Sequence, residues 1–293
     1  MEIKLIELYC LICHLYDTQI VLKHQRLSNN SKPVFTDQEL VTCYFFGMLN
    51  NQYQQQKIYD YIADHWRSCF PDLPTYQAFN NRLNNLATHF AVITDLLLSE
   101  KHRFLDLTET EDSLIDSFPV MLKRGKNAKS GRIASGIADL GYCSSKDIYY
   151  HGVKLHNLAV RRRKSLPVPF QLFLTEASKH DLTALKEENL TVPTRYLFAD
   201  KAYKDKELEL TLESRGVTLL TPPKKKKNDL PQFYEPLWSK FVSRFKQPIE
   251  SFFNWLNEKT DYQNASKVRS EKGLLVHCYG KLAFACLLLC FYS

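Results

Sequence analysis

The spacing of apolar residues changes near Thr108, and this change constrains the chain more than any other feature. Before it, apolar residues recur at helical intervals. After it they come in short runs, often interrupted by one charged residue, as strands require. A helical region over residues 1–108 is therefore expected to precede a second domain over 109–293 that contains a sheet. In the first region an apolar helix is expected over Ile3–Leu15. Thr36 with Glu39 three residues later reads as a capping box for a helix through Met48. Further helices are expected over Gln54–Trp66 and Thr75–Leu98, separated by Pro71 and Pro74. Short helices with tight turns suit both a DNA-binding domain and an ordinary bundle.

Beyond Thr108 the expected strands are Ser113–Phe118, Ile148–Val160, Phe170–Thr175, Arg195–Ala199 and Val217–Thr221. Capping-box spacing from Ser178 to Asp181 predicts a helix through Glu188. Asp205–Arg215 predicts another helix, closed by Gly216 at its C-cap. A last amphipathic helix fits Phe241–Leu256, with Pro248 either starting or kinking it. Strands first and alternating helices and strands later describe an α/β protein whose mixed sheet is flanked by helices.

Charge narrows the partners. Lys and Arg outnumber Asp and Glu by 39 to 32, a net charge of +7. That balance favours a polyanion, although a mildly basic enzyme has the same excess. The 8 cysteines are scattered, unlike a disulfide scaffold, and most sit in apolar surroundings, where they read as small buried hydrophobes of a reducing compartment. Cys10-Leu11-Ile12-Cys13-His14 matches a haem-attachment string, but it lies inside an apolar helical run with no leader ahead of it, and no second CxxC accompanies it. The apolar stretch Gly273–Tyr292 carries His277 and Lys281, so a buried helix is expected there and no membrane span.

Three carboxylates stand out. Asp116 interrupts an apolar strand, Asp200 ends another, and Glu250 borders the apolar face of the last amphipathic helix. A lone strand-end aspartate is as often a turn or cap, and a helix-surface glutamate is ordinary. Two strands and a helix can nevertheless bring three such groups together around divalent cations, the arrangement that serves in-line phosphoryl displacement. Magnesium suits hard carboxylate oxygens, and without cations the three would repel one another.

The strings around these residues resemble a known family. Asp116-Ser117-Phe118-Pro119-Val120 with Lys123 resembles the first-aspartate motif of DDE transposases, in particular the nine-eight-two family of insertion sequences. Tyr150–His156 resembles that family's Y-G-x-K-L-H strand, and Thr175–Leu185 its segment before a helix. Ala199-Asp200-Lys201-Ala202-Tyr203 resembles the second-aspartate motif. Ile249-Glu250 with Phe253 and Leu256 resembles the glutamate helix, and Arg269, Gly273, Leu275 and His277 the C-terminal segment. The resemblance implies a ribonuclease-H-like sheet behind an all-helical N-terminal domain that binds element ends. It implies Asp116, Asp200 and Glu250 as catalytic metal ligands for two Mg2+ ions, with Mn2+ as a substitute. Its implied partners are the element's terminal inverted repeats and target DNA, with a homodimer in the synaptic complex, in the bacterial cytoplasm at the nucleoid. Related families place a tyrosine, an arginine and a lysine around the glutamate, where this chain has Ser243, Lys246 and Asn257. Phosphate contact is accordingly shared between Arg244 and Lys246.

Arg161-Arg162-Arg163-Lys164 and Lys224, Lys225, Lys226 and Lys227 form two basic runs. Such runs are usually solvated loops, but beside a DNA-cutting site they would contact phosphates without reading sequence. Arg161, Arg162 and Arg163, the four lysines, and Lys123, Arg124, Lys154 and His156 complete the expected DNA contacts. Two other functions fit the same residues: a nuclease of the same fold that only hydrolyses, and a catalytically inactive DNA-binding protein.

Overall fold

The computed structural model describes residues 2–17, 33–103, 112–188, 190–223 and 235–291. Among these, ten α-helices and six strands form a mixed α/β chain that divides into two compact units. The first unit holds residues 1–100, 258–262 and 267–293, and the second holds 101–257 and 263–266.

The first unit is helical. Helices α1 (Glu2–Leu15), α2 (Asp37–Leu49), α3 (Gln55–His65), α4 (Tyr76–Asn85) and α5 (Ala87–Arg103) occur in sequence. The capping box of α2 is formed: Glu39 N–H donates to the Thr36 hydroxyl at 3.1 Å, and Thr36 N–H donates to the Glu39 carboxylate at 2.6 Å. The single helix expected over Thr75–Leu98 is two, because the chain turns at Leu86. The C-terminal segment, expected with the second domain, belongs to this unit. Its helices α9 (Glu271–Leu275) and α10 (Lys281–Phe291) are joined by a π-turn, Val276–Gly280. α10 is apolar all round and needs enclosure. Its Phe284 ring packs 5.9 Å from Phe45, which itself lies 5.9 Å from Phe90. Glu271–Phe291 is long and apolar enough to cross a membrane, yet 72% of its most apolar window is buried in the protein.

Lys281 is buried in this unit, donating to the Asp261 carbonyl at 2.9 Å beside buried His277 and Cys278. Burial pulls its ammonium down to about 7 from 10.5. Between those values the unfolded chain binds a proton that the folded chain does not, so stability rises with pH through that window. The full penalty is borne below about pH 7. Lys281→Met should therefore be more stable than the parent at pH 7, and the gap should shrink by on the order of 2 kcal/mol by pH 9. Urea unfolding of both proteins at the two pH values measures it. The difference cancels the contribution of the Cys278 thiol, which burial pushes up to about 12. A gap that does not change with pH would exclude a buried ammonium at Lys281.

The second unit is built on one sheet. Its strands are β1 (Asp112–Arg124), β2 (Asp139–Cys143), β3 (Ile148–Val160), β4 (Val168–Glu176), β5 (Tyr196–Phe198) and β6 (Thr218–Leu220). The sheet order is β2-β3-β1-β5-β6, with β4 also paired to β3. β1 to β4 pair antiparallel, whereas β1–β5 and β5–β6 are parallel. Antiparallel strands first and crossovers later is the order read from the sequence. β1 runs twice the expected length, and β2 carried no strand signal in its short Leu140-Gly141-Tyr142 core. Gly152 of β3 is required: a Cβ there would lie 1.9 Å from the Val120 carbonyl oxygen.

Helices α6 (Asp181–Glu187) and α7 (Lys206–Glu213) bury Leu185, Leu208 and Leu212 in one core with Ile115, Leu158 and Leu197 of the sheet. The cap of α6 differs from expectation. His180 accepts from Leu182 N–H, while Ser178 is held by Asp139. α7 has the cap its sequence predicts, with Asp205 accepting from Leu208 N–H at 3.0 Å, and Gly216 beyond it takes φ +77°. Helix α8 (Glu235–Thr260) stacks Phe245 on Phe198 and Phe253 on Phe118, each at 4.9 Å between ring centroids. Pro248 lies inside α8 and does not start it.

Candidate active site

Register brings the two aspartates together. Leu114 of β1 lies directly beside Phe198 of parallel β5. Asp116 and Asp200 each follow two residues later, so strand alternation turns both side chains to the face that carries Phe118 and Phe198. That face is the one covered by α8, through the Phe118–Phe253 and Phe198–Phe245 stacks. The two stacks are eight residues apart along α8. The helical segment between them is thereby held over the aspartates, and it carries Lys246 and, one turn on, Glu250.

Lys246 is buried and bridges the aspartates. Its ammonium lies 2.9 Å from Asp116 Oδ2 and 2.6 Å from Asp200 Oδ1. The Asp116 side chain is 17% exposed and that of Asp200 52%. Ser117 N–H donates to Asp116 Oδ1 at 2.9 Å. Burial raises the Asp116 carboxyl to about 6, the Asp200 charge adds to the rise, and Lys246 opposes it. Burial pulls the Lys246 ammonium down, but the two carboxylates together outweigh that and hold it above its usual range.

These groups line a cavity of about 560 Å³ together with Glu250, Asp181 and Lys154. Lys154 of β3 pairs with Asp181 at 2.8 Å in the first turn of α6, and also donates to the Lys179 carbonyl. The cavity thus carries four carboxylates and three ammonium groups: Lys246 and Lys154 are paired to acids, and Lys146 donates to the Gln263 side-chain oxygen. Glu250 is exposed on its wall. Among the described residues no three of His, Cys, Asp or Glu are close enough to hold one metal ion.

A comparison with family models matches the description "Transposase DDE domain" over residues 107–270, more than half of the 293 residues. The chain belongs to the DDE transposases. No curated protein and no solved structure matches it. Transposases of this kind act on DNA and generally use divalent metal ions. The residues here fit a cation: two hard carboxylates converge on one point, and an ammonium already stands there.

The expected DNA contacts of the transposase separate into groups. Arg124, Arg163 and Arg244 are exposed, and Lys123 is half-buried, donating to the Ser130 carbonyl at 3.3 Å. Arg161 pairs with Asp112 at 2.9 Å with its guanidinium 4.4 Å from the Phe245 ring centre, and Arg162 donates to the Leu166 carbonyl. Lys154 lies in the cavity wall. His156 does not offer itself to a phosphate: it is wholly buried, stacked on Phe173 and bonded to Thr175, and burial takes its imidazole down to about 4. Lys246, expected at a phosphate, is held by carboxylates. Lys224 to Lys227 lie outside the described residues.

Sequence reasoning missed Asp181 and Tyr203 as parts of this region. An acid in a first helical turn has a structural reason of its own, which hid Asp181. Tyr203 is buried, its hydroxyl lacks a partner, and burial together with Asp181, Asp116 and Asp200 pushes its phenol well up. Its placement in the Asp200-Lys201-Ala202-Tyr203 turn was the only signal for it in the sequence.

Proposed function

We propose that this transposase cleaves the ends of an insertion sequence and joins the freed 3′ hydroxyl to target DNA, on a ribonuclease-H-like sheet. One observation carries the reading: the parallel β1–β5 register sets Asp116 beside Asp200 with a cation, the Lys246 ammonium, between them. Asp116, Asp200 and Glu250 would hold two divalent ions, Mg2+ or in its place Mn2+, which when bound offset the charge developing in phosphoryl transfer.

The remaining residues bind and orient. Arg244, two residues before Lys246 on α8, is exposed and able to take a phosphate oxygen. Arg124, Arg163 and Lys123 add non-specific backbone contact. Lys154, fixed by Asp181, keeps a positive charge in the cavity wall where a scissile phosphate would enter. The helical N-terminal region recognises the terminal repeats, two ends joined together call for a homodimer, and the reaction takes place at the nucleoid in the cytoplasm.

The test is cleavage of a labelled element-end duplex with Mg2+, Ca2+ or no divalent ion. Nicking with Mg2+ alone, followed by joined products, is expected. Nicked but never joined products would favour the hydrolysing nuclease. Tight binding without nicking in any metal would leave a DNA-binding protein and overturn the proposal.

A further inference from the structure

Asn157 of β3 has no part in the chemistry above, yet it is wholly buried and neither atom of its carboxamide has a hydrogen-bond partner. A buried amide without partners destabilises a fold, and leucine, with the same branching of heavy atoms, carries no such polar cost. Its position is specific. Asn157 is the direct antiparallel partner of Asp116. Opposed residues in a ladder share one face, with Cβ atoms about 4.5–5.5 Å apart, within reach of a carboxamide and a carboxylate. Its other ladder neighbours on this face are apolar: Leu155 and Ala159 along β3, Leu172 opposite in β4, and Leu114 and Phe118 along β1. Asp116, which Lys246 meets from α8, is thus the polar neighbour of Asn157 in the ladder.

We infer that Asn157 is a positioning residue for Asp116. Asp116 gives one oxygen to Ser117 N–H and the other to Lys246. When Lys246 releases its oxygen to a divalent cation, the Asn157 amide N–H donates to the carboxylate in its place. The side chain is then held so that it presents to the cavity and does not rotate away. Outer partners that orient a ligand in this way are commonly worth about 10- to 100-fold in metal affinity. The inference rests on the reading of Asp116 as a cation ligand.

The experiment titrates Mn2+ alone, by calorimetry or electron spin resonance, into the full-length protein and into Asn157→Leu, Asn157→Ser and Asp116→Asn, and measures the thermal midpoint of each. Asn157→Leu should keep or raise the midpoint while weakening Mn2+ binding by about 10- to 100-fold. Asn157→Ser retains a donor and should fall between, and it also serves if the leucine variant does not fold. A raised midpoint with unchanged Mn2+ affinity would overturn the inference and make Asn157 a tolerated misfit. If the parent shows no Mn2+ binding that Asp116→Asn removes, the ligand reading itself fails and takes this inference with it.

Discussion

Asp200→Asn should lower Mg2+-dependent cleavage of an element end by about 10³-fold or more while leaving the thermal midpoint almost unchanged. The two effects separate because of where Asp200 sits. Its side chain is half exposed, so its pair with Lys246 is screened and its loss costs no more than about 1 kcal/mol. Lys246 still has Asp116, so no buried charge is left alone. The amide is nearly the shape of the carboxylate but brings no negative charge to a cation. Asp116→Asn would be a poorer probe, because it removes a half-buried carboxylate that meets both Lys246 and Ser117. Cleavage rates at saturating Mg2+, alongside calorimetric midpoints, check the prediction. Activity within tenfold of the parent would remove Asp200 from the chemistry.

The pairing of the two aspartates was only partly legible in the chain. Each announced itself as an acid breaking or ending an apolar strand, and the order of strands and helices followed from periodicity and caps. Their adjacency depends on the β1–β5 register, a long-range pairing that no local pattern encodes. Glu250 was legible as an acid beside the apolar face of α8, although its exposure is decided by how Phe245 and Phe253 seat that helix on the sheet. The cap of α6 was misplaced because His180 competes with Ser178, whose hydroxyl is taken by distant Asp139. β2 was invisible: its register is supplied by β3, and its own residues, Tyr142 and exposed Leu140 among them, carry no clear alternation.

Lys246 shows the same limit more sharply. The family resemblance, counted back from Glu250, reserves position 246 for a cation and implies that the cation serves DNA. In the folded chain Lys246 points into the protein and meets two carboxylates. A cation at a phosphate and a cation at paired acids look identical in sequence, because both need only a long basic side chain at one helical position. The difference lies in which face of α8 turns toward the sheet, and the aromatic stacks on either side decide that.

Lys246→Met should therefore have two consequences of opposite sign. Without divalent ions the variant should be less stable than the parent, since removing one partner of a buried pair leaves Asp116 uncompensated. Such losses run to about 3–5 kcal/mol. Half-exposed Asp200 is hydrated and contributes little, so the lower end is expected. With Mg2+ or Mn2+ the order of response should reverse. In the parent an added cation must displace the ammonium from Asp116 and Asp200, and part of its binding free energy is spent on that exchange. In the variant the carboxylates have no competing partner, so the ion binds more tightly and the thermal midpoint rises further. Ligand present at 100 times its dissociation constant stabilises by about 2.7 kcal/mol, enough to recover most of the loss. Calorimetric scans of both proteins at pH 8, with and without Mn2+, measure both consequences in one experiment. Equal midpoint shifts in the two proteins would mean that the cation binds elsewhere, and Lys246 would then be a structural ion pair that never yields its place.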